Sequence, residues 1–373
     1  MVNRQRLLAE FERLVSFDAE SFHEAEIKEY LKRKLSDLGL AVIEDGAADS
    51  LREYSASAGN LYGRLPGTRE GTPLLFSAHM DTVSPGKGKR ALIHDGGRIT
   101  SDGTTVLGAD DAAGLASILE ALTVIRENGL SHPDIEILFP VAEEPYCQGS
   151  AVFDYSLVRA KTAYVLDLTG RIGTAAIRAP SILSVEIRVI GKAAHAGFSP
   201  EEGINALSIA ANALSWLETG HVSADTTVNF GTIAGGTGKN IVPSEIRIRG
   251  EIRSLRHEEA LARAETVKAR FQAEAQKLGG GADVNITEEI RAYHIQKDEP
   301  VVRRFERAAD GLGEVRLITT FGGSDNNNFA LHGIRGLVLA CAMNEVHSVH
   351  EYTELDQLQK CAELTLRLMT MEE

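Results

Sequence analysis

The stretch Leu74-Leu75-Phe76-Ser77-Ala78-His79-Met80-Asp81 carries an apolar run onto a histidine and an acid. Residues 72–78 form a short, uncharged run, which predicts a buried strand. Two further runs, 134–141 and 162–166, read the same way and lead into Glu143-Glu144 and Asp167. Between the first two runs, from about residue 111 to 127, Leu115, Ile118, Leu119, Leu122 and Ile125 recur at helical spacing. Apolar strands alternating with helices predict an α/β core around a largely buried sheet.

Outward from this core, Leu7, Leu8, Phe11, Leu14 and Val15 mark an amphipathic opening helix. Ser21 and Glu24 have the spacing of a capping box, ahead of an apolar stripe of Ile27, Leu31, Leu35 and Leu38 that Gly39 stops. Near residue 179 the pattern changes. Leu183, Val185, Ile187 and Val189 alternate with polar residues, as in a strand with one wet face. A helix (203–218), two strands (226–233 and 245–253), a helix (257–278) and a strand (283–290) follow. The order β-α-β-β-α-β predicts a ferredoxin-like α+β domain, residues 179–290, inserted into an outer domain of residues 1–178 and 291–373. The α/β pattern resumes with a helix from about 300, strands at 315–319 and 337–341, and a closing helix from about 354.

The 373 residues carry a formal net charge of −14, which argues against nucleic acid or an anionic membrane as primary partner. No run approaches the roughly 18 apolar residues of a membrane span, and the opening helix is too charged for a signal peptide. Cys147, Cys341 and Cys361 are odd in number and widely spaced, which fits reduced thiols and a cytoplasmic location.

The chemistry lies at the strand ends. His79 and Asp81, Glu143 and Glu144, and Asp167 each follow an apolar strand, and the carboxyl ends of strands in open α/β sheets share one cleft. Asp110-Asp111 precedes a helix, and His347 follows the strand near Cys341. Singly, these are ordinary features: a surface pair, a helix cap, a solvated loop. Packing alone gives no reason for apolar strands to end repeatedly in acids or histidine. Imidazole and carboxylate together suit borderline divalent ions such as zinc. A pair of ions about 3.5–4 Å apart needs a bridging carboxylate, and a further uncoordinated acid must take the proton from water. His-x-Asp spacing suits an acid that orients a ligating imidazole.

These residues resemble a known family. Ser77-Ala78-His79-Met80-Asp81-Thr82-Val83 is similar to the first motif of the cocatalytic zinc aminopeptidase, carboxypeptidase and deacylase superfamily, and Gly108-Ala109-Asp110-Asp111-Ala112-Ala113-Gly114 to the second. Ala142-Glu143-Glu144, Asp167 and the segment from Asn344 to Tyr352 resemble the remaining motifs, in order. The resemblance implies a mixed-sheet di-zinc hydrolase domain with an inserted lid of the dimerisation type. It implies Asp110 as bridge, His79 and Asp167 on one ion, Glu144 and His347 on the other, Asp81 as orienter and Glu143 as general base. His350 rivals His347; the family ligand precedes an acidic-aromatic pair by four residues, here Glu351-Tyr352, which favours His347. In the lid, Lys192-Ala193-Ala194-His195-Ala196-Gly197 resembles the motif whose histidine stabilises an oxyanion. Asn240 and Arg253 are implied to hold a substrate carboxylate, and Gly323 to line the cleft. The family often has a cis bond at the position of Asp110–Asp111.

Within the superfamily, His347-Ser348-Val349-His350-Glu351-Tyr352-Thr353 is most similar to the peptidase T branch. The resemblance therefore implies an aminopeptidase of small peptides, with two divalent ions (zinc first, manganese or cobalt able to substitute) and a homodimer through the lid. The alternatives are an N-acyl-amino-acid deacylase or carboxypeptidase of the same superfamily, and a metal-binding scaffold without turnover.

Overall fold

The computed structural model of the protein describes residues 1–372. The chain divides into two compact units. One comprises Met1–Arg178, His294–Thr320 and the chain from Ser324 onward; the other comprises Ala179–Tyr293 and the short piece Phe321–Gly323.

The first unit is built on a twelve-stranded mixed sheet. At its centre, Ile135–Phe139, Leu74–Ser77, Thr162–Thr169 and Arg335–Asn344 lie side by side and parallel. Leu61–Leu65 and Ala41–Glu44 extend it antiparallel beyond Ile135–Phe139. Tyr352–Glu354, Arg98–Thr100 and Leu92–Ile93 extend the other side antiparallel. The helix Ala109–Asn128 packs against Leu355–Thr370, Arg4–Val15 and the central strands. It is buried nearly all round, beyond the single stripe expected, because neighbours cover every face and small residues such as Ala113, Ala116 and Ala121 let them approach. Gly129 closes it in the left-handed conformation with φ +57°.

Two local expectations need correction. The strand Thr162–Thr169 runs beyond residue 166, so Asp167 projects from within the strand rather than following it. The capping box at Ser21 and Glu24 does not form: the helix Ala25–Asp37 begins without a side-chain cap. Both side chains are engaged elsewhere, as described below.

The second unit is a five-stranded antiparallel sheet in the order Gly220–Ser223, Thr226–Gly235, Glu245–Ser254, Ser181–Ile190, Gly281–Ile290. The helices Ala206–Ser215 and His257–Lys277 cover one face, and Val185, Ile187, Ile248, Ile209, Val267 and Phe271 form the core between. The opposite face carries Glu186, Arg188, Arg247 and Arg249, joined by ion pairs that include Arg249–Glu186 and Arg188–Glu245. Gly220–Ser223 is one strand more than the expected order. It is a four-residue hairpin arm, too short to show alternation in sequence.

Candidate metal centre

The four central strands point their carboxyl ends the same way, so the residues that follow or end them converge. His79 lies two residues beyond Leu74–Ser77, and its Nε2 is 2.9 Å from Asp110 Oδ1 and 4.0 Å from Asp167 Oδ1. The other oxygen of Asp110, Oδ2, is 3.4 Å from His347 Nε2, which in turn is 2.9 Å from Glu144 Oε2. One carboxylate thus faces two imidazoles, one through each oxygen. His79, Asp110 and Glu144 offer ligand atoms within 4.8 Å of one another, as do His79, Glu143 and Asp167. His350 is exposed, and its backbone N–H donates to Ser348 Oγ.

The tautomer of His79 follows from its neighbours. Its Nδ1 lies 2.9 Å from the Asp81 carbonyl and 3.4 Å from Asp81 Oδ1, both acceptors. Nδ1 therefore carries a proton, and Nε2, which faces Asp110 and Asp167 and here donates to Asp110, is the nitrogen whose lone pair would be offered to a metal ion in place of that proton.

The backbone around the acids is held by other carboxylates. Asp81 Oδ1 accepts the Glu143 N–H at 2.9 Å, and its Oδ2 accepts the Glu144 N–H at 3.2 Å and the Ser21 hydroxyl at 2.7 Å. Glu351 accepts from Gly108 N and Asp110 N at 2.7 and 2.9 Å, which fixes the entry to Asp110. Asp111 accepts from His79 N and Gly114 N, so it is the cap of the pair while Asp110 faces the histidines. The Asp110–Asp111 peptide is cis.

Electrostatically the site is a buried concentration of acids. Burial pushes the Glu143, Glu144 and Asp167 carboxyls up, and neighbouring carboxylates add to the effect. Asp110 moves the other way: burial opposes its charge, but hydrogen bonds from His347 and His79 hold it below the usual range. Glu144 Oε1 is buried without a hydrogen-bond partner. Two imidazoles and four carboxylates, one of them with a buried orphan oxygen, form a donor set that fits divalent cations, which would offset the crowded negative charge.

In the second unit, His195 and Asn240 lie on adjoining segments: His195 bridges to Ile241, and Ala196 N donates to the Asn240 carbonyl. His195 Nδ1 accepts from the N–H groups of Gly197 and Phe198, so its proton sits on Nε2. Gly323 packs against Ile290 so closely that a Cβ there would lie 2.1 Å from the isoleucine Cδ1. Arg253, expected to help hold a substrate carboxylate, is engaged within the protein. Its Nε and Nη2 grip Glu251 at 2.8 and 3.0 Å, and Nη1 donates to the Phe321 carbonyl at 2.8 Å. A substrate carboxylate would have to displace Glu251 from the two-pronged edge.

Four residues at the centre were assigned no part in the site by the sequence reading. Glu24 and Glu351 hold backbone N–H groups and Ser21 donates to the Asp81 carboxylate, all by long-range bonds that leave no local pattern. Cys147, read only as a reduced thiol, has its Sγ 3.2 Å from Glu143 Oε1.

The chain belongs to peptidase family M20/M25/M40, whose profile matches residues 75–371. It is similar over 99% of its length to aminopeptidase PepT from Bacillus cereus, at 39% identity, 98% coverage of that chain and a TM-score of 0.91. A tripeptidase from Staphylococcus aureus superposes over 99% of this chain and 98% of its own, with a TM-score of 0.95 and 35% identity. The uncharacterized protein YqjE of Bacillus subtilis is 40% identical over 370 residues, 99% of each chain.

Proposed function

We propose that the protein is a peptidase T-like aminopeptidase that hydrolyses small peptides with two metal ions. The observation that carries this reading is Asp110, whose two oxygens face His79 and His347 separately. Whole-length likeness to an aminopeptidase and a tripeptidase supports the substrate class. On this reading His79 and Asp167 would hold one ion, Glu144 and His347 would hold the other, and Asp110 would serve both. The nitrogen and oxygen donors favour zinc, with manganese or cobalt as substitutes. When bound, such ions polarise an amide carbonyl and lower the pKa of water toward about 7.

The protein's own groups do the rest. Asp81 orients His79 and, through its bonds to the Glu143 and Glu144 N–H groups, keeps both glutamates in register with it. Glu143 takes the proton from the attacking water and gives it to the leaving amine. The inserted unit acts as a lid, from which His195 donates its Nε2–H to the developing oxyanion. Asn240 and the Gly323 segment contact the substrate. Arg253 serves in substrate binding only if a carboxylate displaces Glu251. The lid also supports a homodimer: Gly281–Ile290 is a ten-residue edge strand paired on one side only.

The test is turnover of a tripeptide and its N-acetylated form, with metal content measured in parallel. Free tripeptide is cleaved and the blocked form is not. Glu143→Gln keeps its metal while kcat falls about 10²–10⁴-fold. Equal rates on both substrates would refute the aminopeptidase reading, and full activity of Glu143→Gln would refute the mechanism.

A further inference from the structure

Glu24 is fully buried, with 0% exposure, and its place is not explained by the helix it precedes. Its Oε1 accepts two backbone N–H groups at 2.9 Å, one from Phe22 and one from Ala142. Both donors stand in the left-handed region, with φ +72° at Phe22 and +48° at Ala142. Ala142 is the residue immediately before Glu143. A single carboxylate oxygen therefore pins two unfavourable backbone conformations, one of which sets the direction in which Glu143 leaves the chain.

The pin belongs to a larger clasp. Ala142, Glu143 and Glu144 present three successive N–H groups; Glu24 takes the first and Asp81 the next two. Ser21 donates its hydroxyl to the same Asp81 oxygen that accepts Glu144 N–H. The segment around residues 21–24 thus holds the glutamate loop twice, once directly and once through Asp81. Val141 N is bound by Asn60 Oδ1, so the loop has no free donor at this turn through which to relax.

We infer that Glu24 is a positioning residue for the reaction: it fixes the left-handed turn at Ala142 that aims the Glu143 carboxylate. This rests on the reading of Glu143 as general base. Its consequence is selective. Loss of the Glu24 acceptor lets the turn at Ala142 relax, which re-aims the side chain of Glu143, the next residue, about the N–H that Asp81 still holds; Glu144, one residue further from the turn, keeps its place through its own bond to Asp81. The proton-transfer step suffers, and substrate binding and metal retention do not.

The experiment compares Glu24→Met, which fills the volume without an acceptor, with Glu24→Gln, which retains Oε1. Metal content, KM and kcat are read for each, with Glu143→Gln and the Glu24→Met/Glu143→Gln double variant alongside. Misplacement of a reacting group by about 1 Å costs on the order of 10²-fold in rate. Glu24→Met is therefore expected to lose about 10- to 100-fold in kcat with KM and metal content unchanged. Glu24→Gln recovers most of that loss, and the double variant is no slower than Glu143→Gln alone. Should Glu24→Met not fold, Glu24→Asp, one methylene too short to reach Ala142, is expected to show the same selective loss. Wild-type kcat in Glu24→Met or Glu24→Asp while Glu143→Gln is inactive overturns the inference. So does a loss of rate that follows loss of metal, or one that Glu24→Gln fails to repair. An active Glu143→Gln instead overturns the general-base reading on which the inference stands.

Discussion

The Cys147 thiol sits 3.2 Å from Glu143 Oε1 and is 1% exposed. Burial first, then the nearby Glu143 carboxylate, pushes its pKa up. Cys341 is raised in the same way beside Asp111, and Cys361 is raised to about 12. The thiolate is the reactive form, so the native protein should resist alkylation at neutral pH. A thiol titration is expected to count fewer than one of the three cysteines in buffer and all three in denaturant; rapid native labelling of Cys147 would contradict this placement. At this scale the convergence of His79, Asp110, Glu144, Asp167 and His347 was legible because few side chains can hold a divalent ion, and those few recurred after apolar strands. Glu24 was not legible. Its spacing from Ser21 matches a local cap, and nothing in sequence separates that use from a bond 118 residues away. The engagement of Arg253 left a trace, since residues two apart on a strand share a face and Glu251 is its i−2 neighbour.

Among elements, the connection after Asp81 shows how a loop can be anchored from inside. Lys89 is 3% exposed, and its ammonium donates to the carbonyls of Phe17 and Gly86 at 2.8 and 2.9 Å. It thereby ties the end of the opening helix to the loop containing the cis Ser84–Pro85 bond. Burial lowers its pKa to about 8, against the opposing pull of Asp18, Glu20 and Glu351. An unfolded lysine titrates near 10.4, so between these values the unfolded chain binds more protons than the folded one. The cost of burying the charge is present in full below about pH 8 and is relieved as the pH rises toward 10.4. The urea midpoint of the wild type, measured relative to Lys89→Met, should therefore increase from pH 8 to pH 10. A constant difference would mean that the amine is not desolvated in the folded state. The central strands were legible from their apolar runs. The outlying strands Ala41–Glu44 and Arg98–Thr100 were not, because short, half-exposed segments carry little hydrophobic signal.

For the whole molecule, the change of pattern near residue 179 made a second folding unit readable, since alternation replaced continuous apolar strands. The piece Phe321–Gly323 was not readable as part of that unit. Three residues have no periodicity, and they are recruited by the Arg253 bond to Phe321 and by the contact of Gly323 with Ile290. No helix among the described residues is long and apolar enough to cross a membrane. The proposed homodimer belongs to this scale. Light scattering should give twice the chain mass of 40.3 kDa at micromolar concentration, and a monomer mass there would reject the assembly.

The clasp on the glutamate loop also bears on synthesis. Its anchors at Ser21 and Glu24 emerge from the ribosome well before Ala142 to Glu144, and these well before His347 and Glu351. A nascent chain cannot assemble the centre until residue 351 has been translated. A truncated translation product would then be a harmless polypeptide rather than an unregulated protease.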